Sequence, residues 1–202
     1  EVHNDYHESS IMEVRSAIYS PQGKILQTIK QKQKLKSGET YIFENTYGAI
    51  ESPDLWSPET PSLYLVKTTL VDPKSGKKKK KKNHKVGFRW FTFDGSKGFF
   101  LNGKSYKLRG LNRHQDQAPA GVALDDEAHR RDIFLMKELG CNFIRISHFP
   151  QDDAILEMCD ELGLLAWEEI PIINIVPNTP GYDDNCEYNL REMIRQHYNH
   201  SS

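Results

Sequence analysis

Three short apolar runs in the middle of the chain each end in polar side chains that suit a ligand rich in hydroxyl groups. The runs are RGLNRH, FIRISH and LLAWEEI, within residues 109–169. The polar residues at or just after their ends are Asn112, Arg113, His114, Arg145, Ser147, His148, Glu168 and Glu169. Amide, guanidinium, imidazole and carboxylate groups make the directional and charge-assisted hydrogen bonds that hold such ligands. These residues are therefore the candidate site.

Two adjacent pairs in this set have catalytic residue types but the wrong spacing. Glycosidic bonds are cleaved by two carboxyl groups, which lie about 5 Å apart in enzymes that retain the anomeric configuration. Glu168 and Glu169 are neighbours in the chain, and neighbouring residues of a strand point to opposite faces. The same alternation separates Ser147 from His148 and disfavours a serine nucleophile with its own neighbour as base. We expect neither pair to perform the chemistry by itself.

The segments between the apolar runs predict the order strand, helix, strand, helix, strand. DDEAHRRDIFLMKELG and QDDAILEMCDELG both have at least two acidic residues within their first three positions and end with glycine, as amphipathic helices commonly do. We predict helices from Asp125 to Gly140 and from Asp152 to Gly163. A first strand over YKLRGLN and a third helix around CEYNLREMIRQHYN complete the pattern. Parallel strands joined by helices bring their C-terminal ends to one edge, so the candidate residues should converge.

Apolar positions within these segments predict how they pack. The core-facing residues of the first helix are predicted to be Ala128, Ile133, Leu135, Met136 and Leu139. Cys141 opens an apolar strand and Cys159 falls on the apolar side of the second helix. With Cys186 the chain has three cysteines and no CxxC spacing. This predicts buried structural thiols rather than disulfides, a zinc site or a catalytic cysteine.

Residues 1–93 contain short alternating runs without a helical period. IMEVRSAIYS and KILQTIKQKQKL are separated by the turn Ser20–Gly23, and ETYIFENT and SLYLVKTTLVD follow. Such runs predict an antiparallel β-sandwich. The proline-rich stretch DLWSPETP predicts an extended loop in which Trp56 covers a sheet end. The lysine run 77–82 predicts a solvated, mobile hairpin loop, because like charges repel one another, and contact with a polyanion is the alternative.

Composition narrows the possible classes of protein. A chain of 202 residues with 37% hydrophobic and 27% charged residues can bury one or two globular cores. The formal net charge of −1 gives no general reason to expect nucleic acid or a membrane surface as a partner. No apolar run approaches the length that spans a bilayer. His197 and His200 lie three residues apart on the third predicted helix, but no carboxylate at a fixed spacing supports a metal site there.

Longer motifs resemble glycoside hydrolase family 2. They are LWSPETPSLY, VGFRWF, FFLNGKSYKLRGLNRH, DIFLMKELGCNFIRISHFPQ and CDELGLLAWEEIP. The resemblance implies an immunoglobulin-like β-sandwich over residues 1–93, followed by the first part of a TIM (β/α)8 barrel over residues 94–202. Since a whole barrel takes roughly 250 residues, only about three of its βα units are expected. The chain is therefore expected to be an internal fragment of a longer enzyme.

The same resemblance implies an activity. Members of the family hydrolyse terminal β-linked sugars with retention, and we predict β-galactosides as substrates, with β-glucuronides or β-mannosides as alternatives. Both catalytic glutamates are expected beyond Ser202, so the fragment should be inactive. The matching substrate-binding positions are Asn112, His114, Arg145, His148 and Glu169. For Arg145, an ion pair within the strand ring is an equal alternative. The β-galactosidase magnesium motif is absent from IPIINIVPN, so no metal or other cofactor is predicted.

Alternatives from other classes stay open at this point. One is a non-catalytic carbohydrate-binding or interaction module that uses the sandwich, and another is an independent α/β enzyme using His114, His148 and Glu168. The predicted partner is an oligosaccharide or glycoside, with neither nucleic acid nor membrane. An open barrel would expose apolar strand edges, which predicts self-association of the fragment. The residues do not distinguish a cytoplasmic from a periplasmic protein.

Overall fold

The chain divides into two compact units. The structure, a computed structural model, describes residues 1–44 and 46–202. Residues 1–54 and 63–86 form unit 1, and residues 55–62 and 87–202 form unit 2. The predicted domain boundary between residues 93 and 94 stays a prediction.

Unit 1 is built from antiparallel β-strands, as the alternating runs predict. Its strands are β1 (Val2–His3), β2 (Ser10–Tyr19), β3 (Ile25–Leu35), β4 (Thr40–Tyr41), β5 (Tyr64–Val71) and β6 (Lys78–Val86). Four of them form one sheet in the order β3-β2-β5-β6, and β1 pairs with β4. Met12, Val14 and Ile18 alternate along β2 and are buried, because every second side chain of a strand points to the same face.

The turns and edges of unit 1 agree only in part with the prediction. The turn at Ser20–Gly23 is present: the Gly23 amide donates to the Ser20 carbonyl at 2.8 Å, and Gly23 has a φ of 82°. The expected strand ETYIFENT is reduced to Thr40–Tyr41. Asn45, which belongs to that expected strand, lies outside the described residues.

The prediction of a mobile loop at the lysine run was wrong. Lys78–Val86 forms β6 and pairs antiparallel with β5, with Lys81 opposite Thr69 and Lys82 opposite Thr68. Pairing with β5 satisfies the backbone groups on one side of β6, and every lysine of the strand stays exposed to water. Lysine is common on edge strands because its charge blocks further pairing. Like-charge repulsion therefore does not prevent a strand when the neighbouring strand supplies the hydrogen bonds.

Unit 2 contains a β-hairpin sheet followed by a βαβαβα run. The hairpin strands are β7 (Phe91–Asp94), β8 (Gly98–Leu101) and β9 (Lys104–Ser105). The run consists of β10 (Gly110–Arg113), α1 (Asp126–Glu138), β11 (Phe143–Ile146), α2 (Asp153–Leu162), β12 (Leu165–Glu168) and α3 (Tyr182–His197). The strands β10, β11 and β12 are parallel and neighbours in that order. The order and direction of these strands and helices agree with the expected first part of a TIM barrel.

The first two helices begin and end where the sequence predicts. Asp125 caps α1 by accepting from the Ala128 amide, and Asp152 caps α2 by accepting from the Ala154 amide. Gly163 ends α2 in the left-handed conformation with a φ of 77°. A Cβ atom at Gly163 would lie 2.4 Å from the Pro58 carbonyl oxygen. Only glycine therefore satisfies both the backbone angle and the close approach of the loop.

The core of unit 2 lies between the parallel strands and the first two helices. Its buried members are Ile133, Met136, Cys141, Ile144, Ile146, Ile155, Leu156, Cys159 and Leu164. The prediction for α1 was wrong at Leu135 and Leu139, whose exposed fractions are 45% and 74%. The buried stripe of α1 instead runs through His129, Ile133 and Met136, at the i, i+4 and i+7 positions of one helical face.

Two further boundaries differ from the prediction. The first parallel strand begins at Gly110 rather than at Tyr106, and α3 begins at Tyr182, before the predicted CEYNLREMIRQHYN. A Cβ atom at Gly110 would lie 2.1 Å from the Phe143 carbonyl oxygen, so this position accepts only glycine beside β11. Among the described residues, no helix is long and apolar enough to cross a membrane.

The proline-rich loop packs as a covering element within unit 2. Trp56 is fully buried, and its indole Nε1 donates to the Asp160 carbonyl at 2.8 Å. The Lys137 ammonium donates to the carbonyls of Pro58 and Gly163, each at 2.8 Å. These bonds hold the loop against the C-terminal ends of α1 and α2.

Candidate functional site

Strand register divides the candidate residues into two groups. Asn112 of β10 stands opposite Arg145 of β11, and Arg145 stands opposite Trp167 of β12. The next row contains Arg113, Ile146 and Glu168. Because side chains alternate, the two rows point to opposite faces of the sheet. Ile146 belongs to the core beneath the helices, so the Asn112 row lies on the opposite face of the sheet. We call this face, which is turned away from the helices, the free face.

Arg145 is at the centre of the cluster on this free face. Its Nε donates to Glu169 Oε1 at 2.6 Å and its Nη2 donates to Glu169 Oε2 at 3.1 Å. A bidentate guanidinium–carboxylate pair fixes both planes relative to each other. Nη1 also donates to Asn112 Oδ1 at 3.5 Å. The ion pair expected as an alternative role for Arg145 is therefore present, and it orients two neighbouring candidate residues.

The two histidines extend the cluster. His148 Nδ1 lies 3.1 Å from Glu169 Oε2 and 3.2 Å from Arg145 Nη2. The ring of His114 packs edge-on against the ring of His148, with centroids 5.3 Å apart. The structure thus brings together all five of the predicted substrate-binding residues, Asn112, His114, Arg145, His148 and Glu169. Their role in binding a substrate stays a prediction.

The charge state of Glu169 follows from these contacts. The Arg145 guanidinium, with a smaller contribution from His148, holds the pKa of Glu169 below its usual range. The carboxylate is therefore ionised at neutral pH and accepts hydrogen bonds. It is a poor proton donor for the same reason.

Arg113 does not belong to this cluster. It is buried on the helix side, where Nη2 donates to Asp132 Oδ2 at 2.8 Å and Nε donates to the same oxygen at 3.0 Å. Nη1 donates to Gln151 at 2.5 Å, and His129 Nδ1 lies 3.0 Å from Nη2. This network ties the end of β10 to α1 and to the loop after β11. Arg113 is a structural residue in this arrangement.

Glu168 is also turned away from the free face, and Ser147, in the part of the chain that the structure describes, makes no contact with the cluster through a hydrogen bond of its side chain. Glu168 Oε2 lies 2.7 Å from Nδ1 of His197 on α3. His197 Nε2 lies 3.6 Å from Asp153 at the start of α2. Ser147 is fully buried, and within the described residues its Oγ has no hydrogen-bond partner. Glu168 and Glu169 therefore lie in different environments, as the alternation argument predicts.

The Glu168–His197 pair should make the stability of unit 2 depend on pH. Hydrogen bonding to Glu168 raises the pKa of His197 above its ordinary value. A raised histidine pKa contributes stability that is fully present below the unfolded pKa of about 6.5 and is lost as the pH rises through the folded pKa. We expect Glu168→Gln to cost most stability at about pH 5.5 and least at about pH 9. Thermal melts across this range measure the difference.

The exposed Glu187→Gln substitution on α3 is the matched control, since Glu187 forms an exposed pair with Arg191 on the helix surface. A Glu168→Gln penalty that is the same at every pH would contradict the pair's role. Nuclear magnetic resonance titration of His197 should show its pKa falling towards the ordinary value in Glu168→Gln.

Sequence reasoning missed two residues near these elements. Trp167 stands in register with Arg145 on the free face, and its exposed fraction is 54%. The alternation of side chains along β12 predicts this face for Trp167 once the register between β12 and β11 is known. Asp160 of α2 is buried, and its Oδ1 accepts from the amides of Ser201 and Ser202, each at 2.7 Å. Its Oδ2 lies 2.7 Å from His200 Nδ1, a contact that no local pattern indicates.

The side chains of the described residues do not come together in a way that would bind a metal ion. Within residues 1–44 and 46–202, no group of three or more His, Cys, Asp or Glu side chains could hold a metal ion. His197 and His200, considered in the sequence, are each paired with a carboxylate instead. The predicted lack of a cofactor stays a prediction.

Comparisons with known proteins agree with this architecture. The sequence profile of "Glycosyl hydrolases family 2, TIM barrel domain" matches residues 94–202, and that of "Glycosyl hydrolases family 2" matches residues 1–89. A putative beta-glucuronidase of Formosa agariphila is 37% identical over 195 residues, which is 96% of this chain and 23% of that protein. A beta-galactosidase of Thermoanaerobacterium thermosulfurigenes is 42% identical over 149 residues, 73% of this chain and 20% of that protein.

Solved structures give the same result. The crystal structure of Bacteroides uniformis beta-glucuronidase superposes with a TM-score of 0.94 at 64% identity, covering 98% of this chain and 24% of that one. The chain therefore spans between a fifth and a quarter of the length of these relatives. From the profile that matches its barrel segment and from these relatives, the chain belongs to glycoside hydrolase family 2.

Proposed function

We propose that this chain forms one wall of the sugar-binding site of a retaining glycoside hydrolase that removes terminal β-linked sugars, with β-glucuronides as the first candidate substrates. The observation that carries the proposal is the cluster of Asn112, Arg145, His148 and Glu169 at the C-terminal ends of three parallel strands, with His114 packed beside it. In TIM-barrel enzymes this edge holds the active site.

The cluster suits sugar hydroxyl groups. Ionised Glu169 accepts hydrogen bonds from hydroxyls, the Asn112 amide donates to them, and the imidazoles of His114 and His148 can do either. Arg145 holds Glu169 in one orientation, so little side-chain freedom is left to lose when a ligand binds. The exposed ring of Trp167 adds an apolar surface on the same face. Together these groups support substrate positioning as their role.

The catalytic carboxyl pair is proposed to come from elsewhere in a longer polypeptide, after Ser202. Retaining hydrolysis needs one carboxyl group as acid and one as nucleophile, about 5 Å apart. Glu169 is held ionised by Arg145, and Glu168 is bonded to His197 on the helix side. Neither of them is available as the partner of the other. The chain therefore supplies binding groups and leaves the bond-breaking groups to other strands.

The choice of sugar rests on the relatives. Proteins named as beta-glucuronidases match 96% and 98% of this chain, and this favours a β-glucuronide over the β-galactoside predicted from the sequence. The beta-galactosidase relative is 42% identical over a shorter stretch, so β-galactoside hydrolysis is the second candidate. β-Mannosides follow as the third.

An assay with nitrophenyl glycosides tests both the reaction and the sugar. The 202-residue chain and a longer open reading frame that carries it are incubated with the β-glucuronide, the β-galactoside and the β-mannoside. We expect the longer protein to prefer the β-glucuronide and the isolated chain to release no nitrophenol. A preference for the β-galactoside would establish the second candidate. Turnover by the isolated chain would contradict the proposed position of the catalytic pair.

A further inference from the structure

The outward surface of the four-stranded sheet in unit 1 carries an unusual concentration of positive charge. We define this basic face by Arg15, Lys30, Lys32, Lys67 and Lys81. These residues come from all four strands and share a face by register: Lys30 pairs with Arg15, Arg15 with Thr69, and Thr69 with Lys81. Adjacent strands lie about 4.8 Å apart, so this row of residues spans roughly 14 Å.

The charges of this face are not balanced within the sheet. Among the described positions on the same face of these strands, Glu13 is the one carboxylate. Glu13 is already bonded to Arg15 and lies 3.2 Å from the Lys32 ammonium. Lys30 stands directly opposite Arg15, and like charges in opposite positions destabilise a sheet. An arrangement that costs stability in the free protein is relieved when an anionic partner binds.

A groove lies on this face and is lined by several of its cations. Its volume is about 370 Å³, and its lining includes Arg15, Lys30, Lys67, Lys78 and Lys81. Thr28 and Thr69 also line it and add hydroxyl groups between the cations. Flexible ammonium groups placed along a groove can neutralise negative groups that repeat along a polymer. A single small anion would leave most of these cations without a partner.

The aromatic content of the face distinguishes between polymers. Tyr19 lines the groove, but the Lys67 ammonium lies over its ring, 4.2 Å from the centroid. Proteins that bind single-stranded nucleic acid stack bases on aromatic rings, and the Lys67 ammonium occupies one face of the Tyr19 ring. An acidic polysaccharide needs charge and hydroxyl contacts and no base stacking.

We propose that the basic face binds an acidic polysaccharide that carries carboxylate or sulfate groups. The site lies in unit 1 and uses none of the residues of the candidate sugar site in unit 2. Binding at this face needs no hydrolysis, so it can be measured on the 202-residue chain whether or not the proposed enzymatic activity is correct.

Isothermal titration calorimetry tests the proposal with two acidic polysaccharides, polygalacturonate for carboxylate groups and dextran sulfate for sulfate groups. Unmodified dextran is the neutral polymer, and a thymidine oligonucleotide represents nucleic acid. We expect the chain to bind at least one acidic polysaccharide, and the affinity to fall at least about ten-fold between about 50 mM and about 200 mM NaCl. The double variant Lys30→Glu/Lys81→Glu should lose binding by at least about ten-fold, because two cations become anions.

The matched control is Lys97→Glu/Lys104→Glu, which makes the same change in net charge at exposed positions of unit 2 and should alter binding by less than about two-fold. Circular dichroism checks folding, and Lys30→Gln/Lys81→Gln gives a milder second variant. Equal losses in both charge-reversal variants would overturn the proposal. So would equal binding of unmodified dextran, tighter binding of the oligonucleotide than of either polysaccharide, or no binding of any acidic polysaccharide.

Discussion

Replacing Asp160 with alanine should lower the free energy of unfolding by about 3–6 kcal/mol, because two backbone amides lose a carboxylate acceptor and each hydrogen bond to a charged group contributes about 1.5–3 kcal/mol. The Asp160 carboxylate is buried and accepts from the amides of Ser201 and Ser202, while His200 contacts its other oxygen. Alanine leaves the buried Ser201 amide without an acceptor, at a cost of about 1–3 kcal/mol for that group alone. Urea unfolding measures the change.

The control for Asp160→Ala is Glu157→Ala on the same helix. Glu157 is exposed and pairs with Arg130 at 3.0 Å, so its removal should cost less than about 1 kcal/mol. Asp160→Asn keeps an acceptor for the amides and loses only the negative charge, so its penalty should lie between the two. A loss below about 1 kcal/mol for Asp160→Ala would show that residues 200–202 do not depend on this carboxylate.

Replacing Arg145 with alanine should have the largest effect on the candidate sugar site. Arg145 makes two bonds to Glu169 and one to Asn112, so its removal frees the orientation of both. In an active protein that carries this chain, a misplacement of about 1 Å in positioning groups costs about 100-fold in rate, and we expect a fall of that order in kcat/KM. Arg145→Lys should recover little, because lysine cannot form the bidentate pair.

The pKa of Glu169 gives a second measure of the same variant, one that needs no activity. Since Arg145 is the largest cause of the lowered pKa of Glu169, the pKa should rise in Arg145→Ala. A lowered carboxyl pKa contributes stability that is present above the unfolded value of about 4.3 and is lost as the pH falls through the folded pKa. In Arg145→Ala, the free energy of unfolding should therefore fall less steeply at acidic pH than in the unchanged protein.

Arg191→Ala is the matched control for Arg145→Ala, because Arg191 forms an exposed pair with Glu187 on α3. It should leave both the Glu169 pKa and the catalytic rate unchanged. Carbon-detected nuclear magnetic resonance titration of the Glu169 carboxyl group gives the pKa. An unchanged Glu169 pKa in Arg145→Ala would show that the guanidinium does not set the charge of this group.

Local signals were sufficient for the ends of α1 and α2 and for the first hairpin turn. The ends of α1 and α2 depend on single residues, Asp125, Asp152 and Gly163, whose side chains or backbone freedom act within a few positions of the chain. The hairpin turn at Gly23 is equally local. These features are predictable because their causes lie within a few neighbouring residues. The family and its fold were also predicted from motifs in the sequence and are confirmed.

Contacts between segments that are distant in the chain determined the structure of the lysine run and the buried face of α1. The lysine run becomes a strand because β5 supplies its backbone partners, a contact between segments that the charge pattern does not contain. Leu135 and Leu139 are exposed because the buried stripe of α1 runs through His129 and Met136 instead. The apolar residues of α1 are compatible with more than one buried face. The packing of the helix against β10 to β12 decides which face is buried.

The candidate site shows the same division. The sequence alone determined which residue types stand at the ends of the parallel strands, since strand ends and alternation are properties of the local pattern. Only the tertiary structure decided that Arg145 and Glu169 meet on the free face while Arg113 and Glu168 are paired with Asp132 and His197 on the helix side. The physical reason is that a side chain's partner depends on strand register and on the helix packed above it, and both are set by contacts between distant segments.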